Sequence, residues 1–197
     1  MRRIVESGSY MFEHLPYTQV TLDSIGQRAD VKKGMVSMYF GSKENLVLRL
    51  ASQEIDRWFA GVDETLQASE ARLDGRELAG LLAGRVAEAG RLPRLLSLLP
   101  VVLDHNLDME VLVPFARGFL SRLEATGLAL ESRCRDLAPG DGARLVRLVL
   151  GLAAGTQAFA NPNSILAISL GEALVAPLRV ETEQELPGLV AGILAGS

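Results

Sequence analysis

Residues 32–39 hold the side chains best suited to chemistry, in the order KKGMVSMY. The two lysines can hold phosphates, the hydroxyls of Ser37 and Tyr39 can bond to phosphates or base edges, and methionine can contact thymine methyls. Together these groups match the surface of double-stranded DNA. The sequence offers little for catalysis, because only His14 and His105 could act as bases near neutral pH. No nucleophile, base and acid occur together at a spacing typical of an active site. We therefore assign no catalytic residue.

Two short helices and a tight turn are predicted to present this run. The Thr21 hydroxyl can cap a first helix whose apolar positions are Leu22, Ile25 and Ala29. Asp30 interrupts the pattern, and a second helix is predicted to begin at about Lys32 or Lys33. This is the layout of a DNA-reading helix-turn-helix.

The side chains of the second helix divide into two faces. Val36 and Phe40 are four residues apart and should face the core, which leaves Met35, Ser37, Met38 and Tyr39 more outward. Exposed methionines would suit DNA, but methionine more often fills a core. From the two methionines alone, we favour core filling.

A set of residues between positions 12 and 46 forms a more specific pattern. Its members are Phe12, Tyr17, Thr21, Ile25, Ala29, Val31, Lys33, Gly34 and the run Tyr39-Phe40-Gly41-Ser42-Lys43-Glu44-Asn45-Leu46. This pattern resembles the N-terminal domain of the tetracycline-repressor (TetR) family of bacterial transcriptional regulators.

The resemblance implies which residues of this segment contact bases and which contact phosphates. In that family three helices form the DNA-binding domain, the third reads the major groove, and a long fourth helix leads to a ligand-binding domain. Carried over by position, the residues at the bases would be Lys32, Lys33, Gly34, Met35, Ser37 and Met38. Those at the phosphates would be Thr21, Tyr39 and Lys43.

The chain departs from the family pattern at a few positions. Tyrosine is common in place of Ser37 and a small polar residue in place of Met35, so the operator sequence cannot be transferred by analogy. Glycine is usual at Pro16 and Asp30. Only two arginines precede the first apolar positions, so either the basic arm of many relatives is absent or the true start lies upstream.

Charge is distributed unevenly along the 197 residues. The whole chain carries a formal charge of -4, but residues 1–50 hold seven Lys/Arg against five Asp/Glu, which gives the remainder a charge of -6. A mildly basic end on an acidic body suits a protein that presents that end to DNA, although an ordinary solvated surface has the same signature.

Several classes of protein are disfavoured by composition. No uninterrupted apolar run is long enough for a membrane span, and no signal peptide precedes the first helix, so we expect no membrane partner and a cytoplasmic location. Cys134 is the single cysteine and is read as structural, with a thiol sensor as a minor alternative. No cluster has metal-ligand spacing, so neither a metal nor a cofactor is predicted.

Beyond the motif, apolar periodicity predicts helix after helix and an all-α fold. Residues 1–46 would form the helix-turn-helix domain and residues 47–197 a helical effector-binding and dimerisation domain. The first predicted helix after the motif runs from about 43 to 68, and the next begins at about 76. A third covers 91–106, where Pro93 and Pro100 shorten, kink or split it. Four more are predicted over 109–137, 143–160, 164–176 and 183–194. In the family, two helices near the C-terminus pair with their copies, so the resemblance implies a homodimer.

A small-molecule pocket is indicated only by polar residues in apolar surroundings, which need partners when buried. The candidate residues are His105, Asn106, Phe115, Phe119, Gln157 and Phe159. The alternative is that His105 and Asn106 cap a helix end and that the phenylalanines are core.

The sequence is therefore interpreted as a DNA-binding transcriptional regulator whose operator binding responds to an unknown effector. Repression is the commonest mode in the family. The alternatives are an enzyme and a helical dimeric adaptor that has kept the fold but lost operator binding.

Overall fold

The computed structural model describes residues 1–69, 71–104, 107–160 and 182–195. The described helices are α1 (Arg2–His14), α2 (Leu22–Arg28), α3 (Met35–Phe40), α4 (Lys43–Ala68), α5 (Gly75–Glu88), α6 (Leu92–Leu103), α7 (Met109–Arg133), α8 (Asp141–Ala160) and α9 (Thr182–Ala195), with a short 3-10 turn at Tyr17–Gln19. Within these ranges no strand forms apart from one isolated bridge, between Leu73 and Cys134. The predicted all-α fold class is confirmed.

Helices α1 to α3, called the head below, close around a small apolar core. Phe12 from α1, Ile25 from α2 and Val36 from α3 are each at most 2% exposed. Helix α2 begins as predicted, because the Thr21 hydroxyl accepts a hydrogen bond from the Ser24 amide. Because Val36 of α3 lies in this shared core, the core fixes the orientation of α3 relative to α1 and α2.

Helix α4 joins the head to the remaining helices, α5 to α9, which are called the body. Its predicted bounds are confirmed, and Ser42 caps it by accepting from the Asn45 amide at 3.0 Å. The apolar residues predicted for its inner side are buried: Leu46, Leu50, Ile55, Trp58, Phe59, Val62 and Leu66. With 26 residues, the helix is about 39 Å long and serves both units.

The body helices mostly begin and end close to the predicted positions. Asp74 caps α5, and α6 carries Pro93 in its first turn and Pro100 inside it. Helix α7 ends at Arg133 rather than at the predicted Leu137. The reason is tertiary: Cys134 is extended, and Leu73 bonds to the backbone of Arg133 and Arg135 on either side of it.

Helix α8 starts two residues before the predicted position 143, and Gly142 lies against the backbone of Gly127 in α7. A Cβ on Gly142 would lie 2.0 Å from the Gly127 carbonyl oxygen, so only glycine permits this close packing. The helix predicted over 164–176 lies outside the described residues.

Several sets of hydrogen bonds connect the head to the body, and two of them hold the ends of helices. Arg94 of α6 donates to the carbonyls of Phe12 and Leu15 at the end of α1, at 3.1 and 3.3 Å. Asn45 of α4 donates to the Phe40 carbonyl at 2.9 Å and to Asp108, just before α7, at 2.6 Å. The end of α1 is therefore fixed to a body residue, and the end of α3 is fixed through Asn45 of α4 to the residue just before α7.

In the part of the chain that the structure describes, no helix has both the length and the apolarity that crossing a bilayer requires.

Candidate nucleic-acid interface

Helix α3 begins at Met35, and the predicted start at Lys32 or Lys33 is wrong. Gly34 precedes the helix in a left-handed conformation with φ of +80°, which ends the turn and starts the helix at the next residue. No protein atom lies within 4 Å of the position of a Gly34 Cβ, so backbone conformation rather than crowding favours glycine here. Both lysines are exposed in the turn.

The same turn explains a departure from the family pattern. Asp30 has a φ of +52°, the only positive value among the described non-glycine residues. Aspartate tolerates this region better than most residues, and its carboxylate also accepts from Arg3 of α1 at 3.0 Å. Aspartate can therefore stand where glycine is usual.

The outer side of α3 is open to solvent. Val36 is buried, whereas Ser37 is exposed and the exposed fractions of Met38 and Tyr39 are 71% and 51%. Met35 is half-buried. Core filling is therefore wrong for Met38 and at most partial for Met35.

Lys43 has a defined position at the start of α4. Its ammonium lies 3.9 Å from the centre of the Tyr17 ring and donates to the Tyr17 carbonyl at 3.3 Å. The Tyr17 hydroxyl donates to Glu44 at 2.5 Å. Burial, this hydrogen bond and the negative charge of Glu44 together raise the pKa of Tyr17, so the phenol stays protonated.

Thr21 has its hydroxyl engaged within the head. It accepts from the Ser24 amide at 3.1 Å and lies 3.0 Å from the Ser24 hydroxyl. The residue is exposed at the start of α2, where unpaired backbone amides favour an anion.

The contacts that hold Lys43 in place could not be predicted from the sequence. Tyr17 lies 26 positions from Lys43 and 27 positions from Glu44, so no local pattern connects them.

Two family models cover this architecture. The model described as "Bacterial regulatory proteins, tetR family" matches residues 4–50, and the model described as "Tetracyclin repressor-like, C-terminal domain" matches residues 52–197. The chain belongs to the TetR family. Its fold and its two domain types are those of DNA-binding transcriptional regulators, which typically dimerise.

Solved structures show the same fold at low sequence identity. A TerR/AcrR-family transcriptional regulator from Aquifex aeolicus VF5 is 14% identical, with a TM-score of 0.54 over 98% of this chain and 96% of that one. A putative TetR-family regulator from Mesorhizobium loti is 17% identical, with a TM-score of 0.57 over 99% and 93%.

The fatty acid degradation regulator FadR from Bacillus halodurans is 16% identical, with a TM-score of 0.55 over 95% of this chain and 97% of that one. No curated protein sequence gives a significant match.

The predicted pocket residues of this TetR-family chain are only partly visible. His105, Asn106 and the side chain of Phe159 lie outside the described residues. Phe115 and Phe119 of α7 are half-buried against the core, and Phe119 meets the edge of Phe59 with ring centres 6.2 Å apart. Gln157 is half-buried in α8. Their role in a pocket stays a prediction.

A body cavity of about 190 Å³ lies elsewhere, between α4 and α5. It is lined by Glu54, Arg57, Trp58, Arg85 and Glu88. The indole nitrogen of Trp58 and Nε of Arg85 are buried and have no hydrogen-bond partner among the described residues. The apolar periodicity of α4 explains why Trp58 is buried, but it gives no sign that the indole N–H group has no acceptor among the described residues.

Proposed function

We propose that this chain is a repressor that binds an operator through α3 and is released by a small-molecule effector bound in its body. The observation that carries the DNA-binding part is the outer side of α3, where Ser37, Met38 and Tyr39 are exposed beside two exposed lysines. A solvated helix gains nothing from an exposed methionine, whereas the major groove offers thymine methyls.

The proposed contacts divide by chemistry. Lys32, Lys33, Gly34, Met35, Ser37 and Met38 face base edges, where side chains near the start of a reading helix lie. Thr21, Tyr39 and Lys43 hold phosphates and so set the position of the helix on the duplex. Tyr17 and Glu44 serve this second group by fixing Lys43.

The protein is proposed to act as a homodimer, with its helix-turn-helix domain at residues 1–46 and its effector-binding and dimerisation domain at 47–197. A two-fold dimer places two α3 helices on successive major grooves, so the operator should be a palindrome. Because it acts on the chromosome of a bacterium, we place it in the cytoplasm.

Effector control is proposed to be a shift between two arrangements of head and body. An effector that binds only the arrangement with the wrong spacing of the two α3 helices lowers operator affinity. The hydrogen bonds of Arg94 and Asn45 connect the head to the body, so a change in the body can move the head. The N–H groups of Trp58 and Arg85, which meet no acceptor in the described part of the chain, favour an effector that carries a hydrogen-bond acceptor.

Genome-wide footprinting with the full chain tests this proposal. A regulator should protect a reproducible palindrome, and removal of the protein from the cell should raise transcription of the adjacent genes. Transcription that falls would reverse the repressor assignment. Dimers that protect no reproducible site would instead support the adaptor alternative.

A further inference from the structure

A cavity of about 440 Å³ lies where the head meets the body, apart from the body cavity beside Trp58. It is called the junction cavity, and its lining residues come from α1, α3, α4 and α7. Its volume is within the range of small-molecule sites. A compound bound there would touch both units at once.

One wall of the junction cavity is a polar stripe on α4. Asn45, Arg49 and Gln53 follow one another at four-residue intervals, so they lie on one face of the helix with Cβ atoms about 5–6 Å apart. Arg49 is exposed, and no acidic side chain among the described residues pairs with it. The stripe therefore offers an uncompensated positive charge.

Asn45 adds a second, independent feature. It is 4% exposed, and its amide nitrogen is occupied by the Phe40 carbonyl and Asp108. Both of these partners are acceptors, which fixes the orientation of the amide and leaves Oδ1 as the remaining polar atom. Oδ1 is buried and no donor among the described residues reaches it. A ligand that displaces the atoms covering Oδ1 can supply the donor that the described residues do not.

The other lining residues are mixed: Arg2, which pairs with Glu6, and Tyr39 bring polar groups, and three more are apolar side chains. Val5 of α1, Phe40 of α3 and Val111 of α7 line the cavity and are each half-buried. A ligand that fits must therefore combine an anionic group for Arg49, a hydrogen-bond donor for Asn45 and a short apolar part.

We propose that the junction cavity binds a small hydroxycarboxylate with an apolar tail. The carboxylate pairs with Arg49, and the hydroxyl donates to Oδ1 of Asn45. Since these two side chains are one helical turn apart, the hydroxyl belongs within a few bonds of the carboxylate, as in a 2- or 3-hydroxy acid. Because Asn45 also bonds to the Phe40 carbonyl and to Asp108, occupancy bears directly on the bridge that Asn45 forms between the end of α3 and the start of α7.

The test is a titration of the full-length protein, without DNA, with 3-hydroxyoctanoate, followed by calorimetry and by the NMR signals of ¹³C-labelled valine methyl groups. Saturable binding should shift the methyl signals of Val5 and Val111 and leave those of Val86 and Val149, in the body core, in place. Octanoate, which lacks the hydroxyl, should bind about threefold to tenfold more weakly, and 1,3-octanediol, which lacks the charge, about tenfold or more.

Arg49→Gln should weaken binding of 3-hydroxyoctanoate about tenfold, because it removes a charge-assisted hydrogen bond. Arg76→Gln is the matched control, since Arg76 is an exposed arginine on α5, beyond the far end of α4, and should leave affinity unchanged. Absence of saturable binding, equal affinity in Arg49→Gln, equal affinity for the diol, or shifts at Val86 and Val149 alone would each overturn the proposal. Because DNA is absent, failure here leaves the proposed operator binding untouched.

Discussion

Ser37 lies exposed on α3 between the buried Val36 and the exposed Met38. The proposal is that its hydroxyl contacts a base edge from that position. Ser37→Ala should weaken binding to the operator by about 1–3 kcal/mol and should have little effect on random DNA. Competition binding with operator and scrambled duplexes measures this difference. Ser132→Ala, on α7 in the body, is the control, and equal losses on both duplexes would contradict a base contact.

Lys43 is held over the Tyr17 ring, and the proposal is that it binds a phosphate from there. Lys43→Ala should weaken binding to operator and random DNA alike, and the slope of log K against log salt should become shallower by about 1. Lys43→Arg, which keeps the charge, should preserve the slope. A slope that is unchanged in Lys43→Ala would show that this lysine does not neutralise a phosphate.

Tyr17 should make the free energy of unfolding fall at alkaline pH. Burial, with Glu44 beside it, raises the pKa of Tyr17 in the folded state, whereas in the unfolded chain a tyrosine ionises near pH 10, roughly its ordinary value. Above that pH the unfolded state loses a proton that the folded state keeps, so the stabilisation, full below about pH 10, is lost as the pH rises.

The difference in unfolding free energy between the wild type and Tyr17→Phe isolates this group from the other tyrosines. Urea titrations at about pH 9 and about pH 11 should show that the difference shrinks at the higher pH. A difference that stays constant or grows would rule out the raised pKa.

At the scale of elements, the start of α3 depends on the left-handed conformation of Gly34. Gly34→Ala should lower the free energy of unfolding by about 1–2 kcal/mol, because a side chain is strained at this φ although it has space. Gly84→Ala is the control: Gly84 lies within α5, also with space around it, so alanine should stabilise by about 0.5–1 kcal/mol. Urea unfolding of both variants tests this, and a Gly34→Ala protein as stable as the wild type would contradict it.

The elements also show what local sequence can and cannot predict. The bounds of α4 were predictable because Ser42 is a cap and the apolar periodicity continues unbroken to Leu66. The end of α7 was not, because pairing with Leu73, about sixty positions earlier in the chain, stops the helix at Arg133. Local signals therefore located both ends of α4, whereas a contact with a distant segment set the end of α7.

At the scale of the whole molecule, the fold class and the exposure of Ser37 and Tyr39 on α3 followed from sequence, but the connection between head and body did not. Arg94 and Phe12 are 82 positions apart, and Asn45 and Asp108 are 63 apart, so neither pair forms a pattern in the sequence. The junction cavity was hidden for the same reason. The α4 stripe alone reads as an ordinary solvated face until α1, α3 and α7 close over it.

The central claim is sequence-specific binding of DNA by the exposed side of α3. Fluorescence anisotropy of the purified protein, titrated onto labelled DNA from its own promoter region and onto a scrambled duplex at two salt concentrations, tests it most directly. The account predicts tighter binding to the promoter duplex, weakening as salt rises. Equal affinity for the two duplexes, or no binding to either at the lower salt concentration, would contradict it.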